Sequence, residues 1–272
     1  MGTVERDTRK LFRKKGTCSQ TYFHIFDREF GHIDEVRERA SDPLAGGIMQ
    51  CGHQCGLLMG SALAVGAESF RRQKDPGKAT ALAIHATRSV RASFQRSAGS
   101  VNCREITDTD FSKKLQFARF LVFRARACFS LADVWTDEAV RSAKEALSVD
   151  PKDIPEHAIS CASELARKMG RSDEEIVTVA GLAGGLGLGG DACGALIAAV
   201  WLRSLDWCKE NPGKTPYSNP YSKDVLFAFS DAAANKFMCR EICGRSFATI
   251  EEHTEHMRNG GCEKLIEAIS RS

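Results

Sequence analysis

Apolar side chains recur at helical spacing along most of the chain, and no segment of useful length alternates apolar and polar residues as a strand would. Two segments, Cys55–Phe70 and Ala192–Trp207, are almost entirely apolar and should be core helices. A Gly-rich turn and a Cys-Gly pair lead into the core helix of each half. We therefore predict an all-α fold. The pattern predicts helices over residues 18–30, 33–40, 55–70, 79–95, 111–127, 192–207, 224–237 and 250–257.

Local signals indicate where these helices begin and end. Gly31 should end the first helix, and Ser172 with Glu175 has the spacing of a capping box. Asp108 or Thr109 is expected to cap the 111–127 helix. Asp191 is expected to cap the second core helix, placing Cys193 in its first turn.

The chain contains an internal repeat. Leu44–Gly56 (LAGGIMQCGHQCG) aligns without a gap with Leu182–Gly194 (LAGGLGLGGDACG), 138 residues later. At an offset of 136, Pro-Gly-Lys and Cys-Arg-Glu-Ile recur as well. Self-similarity at a nearly constant offset indicates duplication. We predict two modules, residues 1–150 and 151–272, joined by the linker Asp150–Pro155 with its two prolines.

Charge excludes some partners and suggests another. A net charge of +3 over 272 residues gives no basis for nucleic-acid binding. Residues 71–127 nevertheless contain 13 Lys and Arg against 4 Asp and Glu, whereas residues 207–261 contain 7 of each. This surplus is typical of a solvated helical face, and it would also attract an acidic redox partner protein.

The apolar run Ile176–Leu202 is long enough to span a bilayer. Its seven glycines and the charge of Asp191 favour a buried helix after a Gly-rich turn, so no membrane insertion is expected. The basic N-terminal segment has no apolar stretch behind it, which predicts a cytoplasmic protein. Eleven cysteines in such a chain favour metal binding or redox chemistry over structural disulfides.

Four cysteines recur in the same order in both modules. Their separations are 37, 48 and 25 residues in the first module and 32, 46 and 23 in the second. Four converging thiolates suit a [2Fe–2S] or [4Fe–4S] cluster or tetrahedral zinc, and two pairs suit dithiol–disulfide exchange. Packing alone would not require four matched positions. The recurring cysteines are Cys18, Cys55, Cys103 and Cys128, then Cys161, Cys193, Cys239 and Cys262.

The Gly-rich turn before the second core helix is a candidate cofactor-binding element. Gly184, Gly185, Gly187 and Gly190 would let backbone amides approach a cluster or an anion closely. A cysteine at a helix N-terminus also gains thiolate stabilisation from the helix amides. Asp191 would partly oppose that effect.

These residues resemble the redox-active C_GCAxxG_C_C family, whose unit has about the size of one module. The family's lone cysteine matches Cys18 and Cys161, and its core cysteine matches Cys55 and Cys193. Leu57 and Ala198 replace small residues of the core motif without touching a thiol. A related domain of split-Soret cytochromes is thought to hold an iron–sulfur centre, so the resemblance implies redox activity and such a cluster. The family's last two cysteines match Cys103 with Cys128 and Cys239 with Cys262.

Two other motifs compete with this interpretation. Gly185-x-Gly187-x-x-Gly190 satisfies the dinucleotide fingerprint but lacks a preceding strand. Cys239-x3-Cys243-x12-His256-x5-Cys262 has zinc-finger spacing, although no hairpin precedes the helix. Cys51 and Cys243 would be spare ligands, resolving thiols or packing residues. Cys208 is expected to be a buried cysteine.

The sequence thus predicts a redox-active electron-transfer protein in which four cysteines of each module bind an iron–sulfur cluster. It would serve an oxidoreductase system together with a redox partner protein. The first alternative is a thiol–disulfide oxidoreductase or redox sensor whose redox thiols are Cys55, Cys103, Cys193 and Cys239. The second is a zinc-stabilised binding module.

Overall fold

The computed structural model describes residues 8–272, and over this range the protein is all-α as predicted. Within the range no strand forms; two isolated antiparallel bridges occur instead, Gln54 with Asn102 and Ala192 with Met238. The two bridges lie at equivalent places in the two copies. Residues 1–7, part of the segment behind the localisation prediction, lie outside the described range.

The first copy contains eight α-helices and the second contains seven within the described range. The first eight are α1 (Thr8–Lys15), α2 (Cys18–Phe30), α3 (Glu35–Ala40), α4 (Gly56–Arg72), α5 (Pro76–Ala98), α6 (Cys103–Thr107), α7 (Lys114–Arg119) and α8 (Ala125–Ala146). The others are α9 (Cys161–Lys168), α10 (Asp173–Thr178), α11 (Gly194–Glu210), α12 (Pro220–Ala232), α13 (Cys239–Ile242), α14 (Ile250–Arg258) and α15 (Glu263–Ser270).

The helix ends follow from local chemistry. Gly31 ends α2 in the left-handed conformation, as predicted. The capping box of Ser172 and Glu175 is present at the start of α10. Asp75 accepts a hydrogen bond from the Lys78 amide at the start of α5. Pro76 is the first residue of this helix, where its lack of an N–H group costs no intrahelical hydrogen bond.

Both predicted boundaries of the helix over residues 111–127 are wrong. Asp108 is the left-handed C-cap of α6, and α7 begins only at Lys114 without a side-chain cap. The helix then passes through a π-helical segment, Phe120–Arg124, and continues through Cys128 as α8. Asp108 accepts a hydrogen bond from Arg124 instead of capping a helix.

The two predicted core helices, α4 and α11, lie at the centre of one continuous hydrophobic core. In α4 all residues from Gly56 to Ser69 are buried. Helix α2 crosses α4 at Gly60, where an added Cβ would lie 2.2 Å from the Ser19 carbonyl oxygen. Only glycine permits the backbones of α2 and α4 to approach this closely.

The two copies pack reciprocally. The short helix α3 of the first copy packs against α11, and its equivalent α10 packs against α4. At Gly66 of α4 an added Cβ would be 2.1 Å from the carbonyl oxygen of Thr178, at the end of α10. The Trp201 indole of α11 donates to the carbonyl of Arg37 in α3. Each core helix is therefore covered by an element of the other copy.

Both Gly-rich turns form the same unusual backbone. Residues 46–50 and residues 184–188 are five consecutive positions with positive φ. In the first copy the run includes Ile48, Met49 and Gln50, with φ of 59°, 49° and 68°. Consecutive left-handed residues are rare in L-proteins because each side chain crowds its own carbonyl oxygen. The turns are left-handed helical loops that reverse the chain before each core helix.

The apolar run 176–202 includes the first half of α11. Within the described part of the chain, no helix has both the length and the apolar character that crossing a bilayer requires.

Candidate functional site

The structure brings the four recurring cysteines of the first copy together. Cys18 is the first residue of α2, Cys55 is the N-cap of α4, Cys103 is the first residue of α6, and Cys128 lies in α8. All four line one cavity of about 580 Å³. Four elements that are distant in sequence thus place their thiols around a common space.

Two short backbone hydrogen bonds hold Cys55 and Cys103 in place. The Cys55 amide donates to the Val101 carbonyl at 2.7 Å, and the Cys103 amide donates to the His53 carbonyl at 2.6 Å. These bonds join the segments that lead into α4 and α6. Gly56 leaves room for the Cys18 sulfur, because an added Cβ at Gly56 would be 2.4 Å from that atom.

The walls of the cavity are mainly apolar, and aromatic rings predominate among them. Asp42 supplies a buried carboxyl, which accepts a hydrogen bond from the Thr17 hydroxyl at 2.6 Å. Tyr217, from the loop between α11 and α12, lines the cavity from the second copy. Sequence analysis missed Tyr217 because nothing local links that loop to the cysteines. The aromatic lining residues are Phe12, Phe111, Phe117, Phe120, Phe129 and Tyr217.

Burial raises the pKa of all four thiols in this cavity. For Cys128 the value is about 12, with Cys18 adding to the effect of burial. Mutual repulsion among the thiolates raises the pKa of Cys55 and Cys103 further. A nucleophilic cysteine needs a depressed pKa. The cavity therefore disfavours free thiolates, and a bound cation would reverse that preference.

The second copy places its first three recurring cysteines at the same positions in its helices, while the fourth lies at a helix start and not inside a helix. Cys161 starts α9, Cys193 is the N-cap of α11, Cys239 starts α13, and Cys262 is the N-cap of α15. The backbone pairing is repeated, since the Cys193 amide donates to the Phe237 carbonyl at 2.8 Å and the Cys239 amide to the Asp191 carbonyl at 2.6 Å.

Two further donors enter the second site. The sulfur of Cys243 lies 3.9 Å from that of Cys239 and 3.6 Å from that of Cys262. The Cys262 sulfur is 3.8 Å from Nε2 of His256. Cys243, which sequence analysis left unassigned, is thus central to this cluster, and the zinc-finger spacing was the signal that identified it.

Electrostatics in this cluster are dominated by sulfur–sulfur hydrogen bonds. Hydrogen bonds from the Cys239 and Cys262 thiols lower the pKa of Cys243 well below its ordinary value. The same bonds raise the pKa of the two donors. Burial raises the pKa of Cys161 to about 12.

The Gly-rich turns contact the thiols at one position in each copy. The amide of Gly46 donates to Cys18, and the amide of Gly184 donates to Cys161. The other predicted glycines lie against protein groups, since added Cβ atoms at Gly185 and Gly187 would be 2.6 Å and 2.8 Å from backbone nitrogens of Asp191 and Arg88. At Gly190 the nearest atom is the Ser246 hydroxyl oxygen, at 3.3 Å.

The prediction that Asp191 caps α11 is wrong. Cys193 itself is the N-cap, and Asp191 pairs with Arg91 of α5 at 2.6 Å. The amides of Leu196 and Ala195 donate to the Cys193 sulfur, as expected at a helix N-terminus. Burial outweighs these bonds and raises the pKa of Cys193 to about 11.

The two remaining cysteines lie apart from both clusters. The Cys51 thiol is half-buried, 3.8 Å from the Met49 carbonyl, near Arg104. Cys208 is buried in α11, as predicted, where Arg39 donates to its carbonyl at 2.9 Å. All eleven cysteines of the described chain are free thiols.

The chain contains two copies of a helical cysteine cluster, which is the arrangement expected of a redox-active protein. Comparison with known families places it in such a class. Residues 17–134 and residues 158–271 each match the family described as "Putative redox-active protein (C_GCAxxG_C_C)". The chain belongs to this family as a tandem duplication. Searches of curated proteins and of solved structures gave no significant match.

Proposed function

We propose that the protein is an electron-transfer protein in which Cys18, Cys55, Cys103 and Cys128 bind an iron–sulfur cluster. The observation that carries the proposal is the convergence of these four thiols on one cavity of about 580 Å³. Four thiolates are the usual ligands of [2Fe–2S] and [4Fe–4S] clusters. Such a cluster accepts and returns one electron.

The residues around the thiols suit this role. Apolar walls exclude water, which protects a cluster and influences its potential. The Gly46 amide donates to Cys18, and the Leu57 amide donates to Cys55. Hydrogen bonds to cluster sulfurs and to their cysteine ligands raise the reduction potential. Burial raises the pKa of Asp42 to about 7, so near neutral pH this carboxyl carries less negative charge than an exposed aspartate.

Thiol–disulfide exchange by the first copy is a weaker candidate. The attacking thiol in such an enzyme has a pKa near ambient pH. Burial raises the pKa of Cys18, Cys55 and Cys103 instead. The free thiols therefore lack the activation that this chemistry requires.

The test is anaerobic purification followed by visible absorbance and by iron and sulfide determination. We expect iron with matching sulfide, and loss of both in Cys55→Ser and Cys128→Ser. Cys208→Ser and Cys51→Ser are matched controls, because these thiols lie outside the cluster, and both should retain the iron. Colourless wild-type protein, or unchanged iron in folded Cys55→Ser, would refute the proposal.

We also infer that the redox partner is an acidic protein that docks beside this cavity. The segment from Lys113 to Arg126 contributes Phe117, Phe120 and Leu121 to the cavity wall. Its other face exposes Val122 and Phe123, which are 66% and 71% accessible. Residues 112–127 contain five Lys and Arg and no acidic residue. This basic and apolar surface belongs to the segment that forms one wall of the cavity, which supports docking of an acidic partner there.

Small redox reagents test this surface without a known partner. Oxidation of the reduced protein by anionic hexacyanoferrate(III) should slow as ionic strength rises, whereas oxidation by cationic hexaamminecobalt(III) should accelerate. Arg119→Glu combined with Arg126→Glu should reduce the first effect. The control is Arg167→Glu, on α9 of the second copy. Equal salt dependence for both reagents would contradict the inferred docking surface.

A further inference from the structure

The cysteine cluster of the second copy contains donors that the first copy does not have. At the offset of 136 residues, Cys243 corresponds to Thr107. His256 corresponds to Phe120 at that offset and to Val122 at the offset of 134 that relates Cys262 to Cys128. A thiol and an imidazole have thus been added to the second copy alone, and both point into its cluster.

Three distances between neighbouring donors of this cluster are close to those of a tetrahedral metal site. Around zinc, with bonds of about 2.3 Å to sulfur and about 2.0–2.1 Å to nitrogen, two sulfurs lie about 3.8 Å apart and a sulfur and a nitrogen about 3.5 Å apart. The observed distances are 3.9 Å for Cys239 to Cys243, 3.6 Å for Cys243 to Cys262, and 3.8 Å for Cys262 to His256. The donor atoms of Cys243, His256 and Cys262 all lie within 4.8 Å of one another.

Local structure positions each donor. Cys239 begins α13, so Cys243 follows one helical turn later on the same face. His256 lies in the last turn of α14. Residues 260–262 then reverse the chain, with positive φ at Gly260 and Cys262.

Two neighbours fix the imidazole of His256 beside Cys262. An added Cβ at Gly261 would be 2.3 Å from Nε2 of His256, so only glycine leaves room for the ring. The ring of Phe247 packs against the imidazole with 5.0 Å between centroids. Phe247 occupies the apolar position within the zinc-finger spacing, and here it contacts the histidine directly.

We propose that Cys243, His256 and Cys262 bind a zinc ion, and that Cys239, whose sulfur adjoins that of Cys243, completes a closed tetrahedral site. Three thiolates and one imidazole form a Cys₃His set, which is typical of structural zinc. With four protein ligands the ion has no open position for a substrate, so its role is to stabilise the fold. The ion would tie α13, α14 and the start of α15 together.

This inference goes beyond the proposed electron transfer and does not depend on it. It makes the two copies different in chemistry, because Cys239 and Cys262 would serve zinc in place of an iron–sulfur cluster. Cys161 and Cys193 would remain beside the zinc site as free thiols. The first copy keeps the four-cysteine set alone.

Metal analysis of the purified full-length chain tests the site. We expect about one zinc per chain, falling at least fivefold in Cys243→Ser and in His256→Ala while the iron content is unchanged. Cys55→Ser should show the reverse, with zinc retained. Cys208→Ser should retain both metals. Because iron and zinc are measured separately, the iron–sulfur proposal for the first copy and the zinc proposal for the second copy are tested independently.

Cobalt substitution keeps the test valid if a variant folds poorly. Co²⁺ added to the zinc-depleted protein should show the intense d–d absorption of tetrahedral cobalt with thiolate charge transfer. His256→Cys should retain the metal and change the spectrum from that of three sulfurs and one nitrogen to that of four sulfurs. An unchanged spectrum, octahedral cobalt, or iron that is lost with Cys243 would overturn the proposal.

Discussion

Gly56 is the residue on which the geometry of the first cluster most directly depends. The Cys18 sulfur occupies the place where a side chain would begin, 2.4 Å from an added Cβ. In this chain the residue after the core cysteine is a glycine, and it admits a ligand from a different helix. Its role is thus to provide space for a thiol.

We predict that Gly56→Ala displaces Cys18 and lowers the iron content by more than half, with a loss of about 1–3 kcal/mol in the free energy of unfolding. Iron analysis and urea unfolding followed by circular dichroism measure the two effects. Gly66→Ala is the control, since it lies in the same helix, α4, and crowds the Thr178 carbonyl, which belongs to the other copy. Comparable iron loss in the control would show that general destabilisation is the cause.

Asp27 of α2 is a buried carboxyl that the cluster does not use. It is 1% exposed, and its Oδ1 has no hydrogen-bond partner within the described chain. Burial raises its pKa to about 8, and the charge of Glu38 adds to the effect. The unfolded carboxyl titrates near pH 3.9. The folded state therefore binds the extra proton between about pH 4 and pH 8.

Stability should accordingly decrease as the pH rises through that interval, because the unfolded chain then binds fewer protons than the folded one. Asp27→Asn should unfold with a free energy about 1–3 kcal/mol higher than wild type at pH 8. The difference should be close to zero at pH 4. Urea titrations at the two pH values measure it. The exposed Asp137→Asn is the control, and an equal gain from it would argue against Asp27 as the cause.

At the scale of elements, the left-handed turns before α4 and α11 are the most distinctive structures. Glycine occupies three of the five positions at 184–188 but only two of those at 46–50. A left-handed conformation costs a residue with a Cβ about 1–2 kcal/mol. The first copy therefore carries more backbone strain in this turn than the second.

We predict that Gln50→Gly stabilises the protein by about 0.5–1 kcal/mol, because relief of the left-handed conformation exceeds the greater entropy of glycine in the unfolded chain. Gln50→Ala keeps a Cβ at φ of 68° and should give no such gain. Gly47→Ala should destabilise strongly, since its Cβ would be 2.4 Å from the His53 amide nitrogen. Thermal unfolding of the three variants gives the ranking, and destabilisation by Gln50→Gly would contradict the argument.

The sequence predicted most helices and the capping box at Ser172, because periodicity and caps are local signals. It failed at Asp191, whose carboxylate pairs with Arg91 from a helix 100 residues away. It also placed the α7 start too early, since Asp108 turns into the left-handed conformation and interacts with Arg124. These errors arise where a polar side chain has a distant partner that local pattern does not reveal.

At the scale of the whole molecule, the duplication and the recurring cysteines could be predicted because both are properties of residue order. The reciprocal placement of α3 and α10 could not, since either copy could have covered its own core helix. The contribution of Tyr217 to the cavity of the first copy has the same origin. The zinc-finger spacing indicated Cys243, His256 and Cys262, but their approach to within 4.8 Å of one another depends on how α13 and α14 are placed in space.

Reciprocal packing predicts that the two copies unfold together. Gly66→Ala, which crowds the Thr178 carbonyl, should lower the free energy of opening by about 1–3 kcal/mol in α4 and in α11 alike. Native-state hydrogen exchange reports the amides of both helices. Loss of protection confined to α4 would show that the copies open independently.

The crossed arrangement of α3 and α10 is the one that two identical single-module chains would adopt around a twofold axis, each lending a helix to its neighbour. When the two modules are joined in one polypeptide, every molecule contains one first copy and one second copy. Had the added thiol and imidazole arisen in a free homodimer, both halves would have changed at once. Within a single chain, one half is free to specialise while the other retains the ancestral ligands, and every molecule contains both versions.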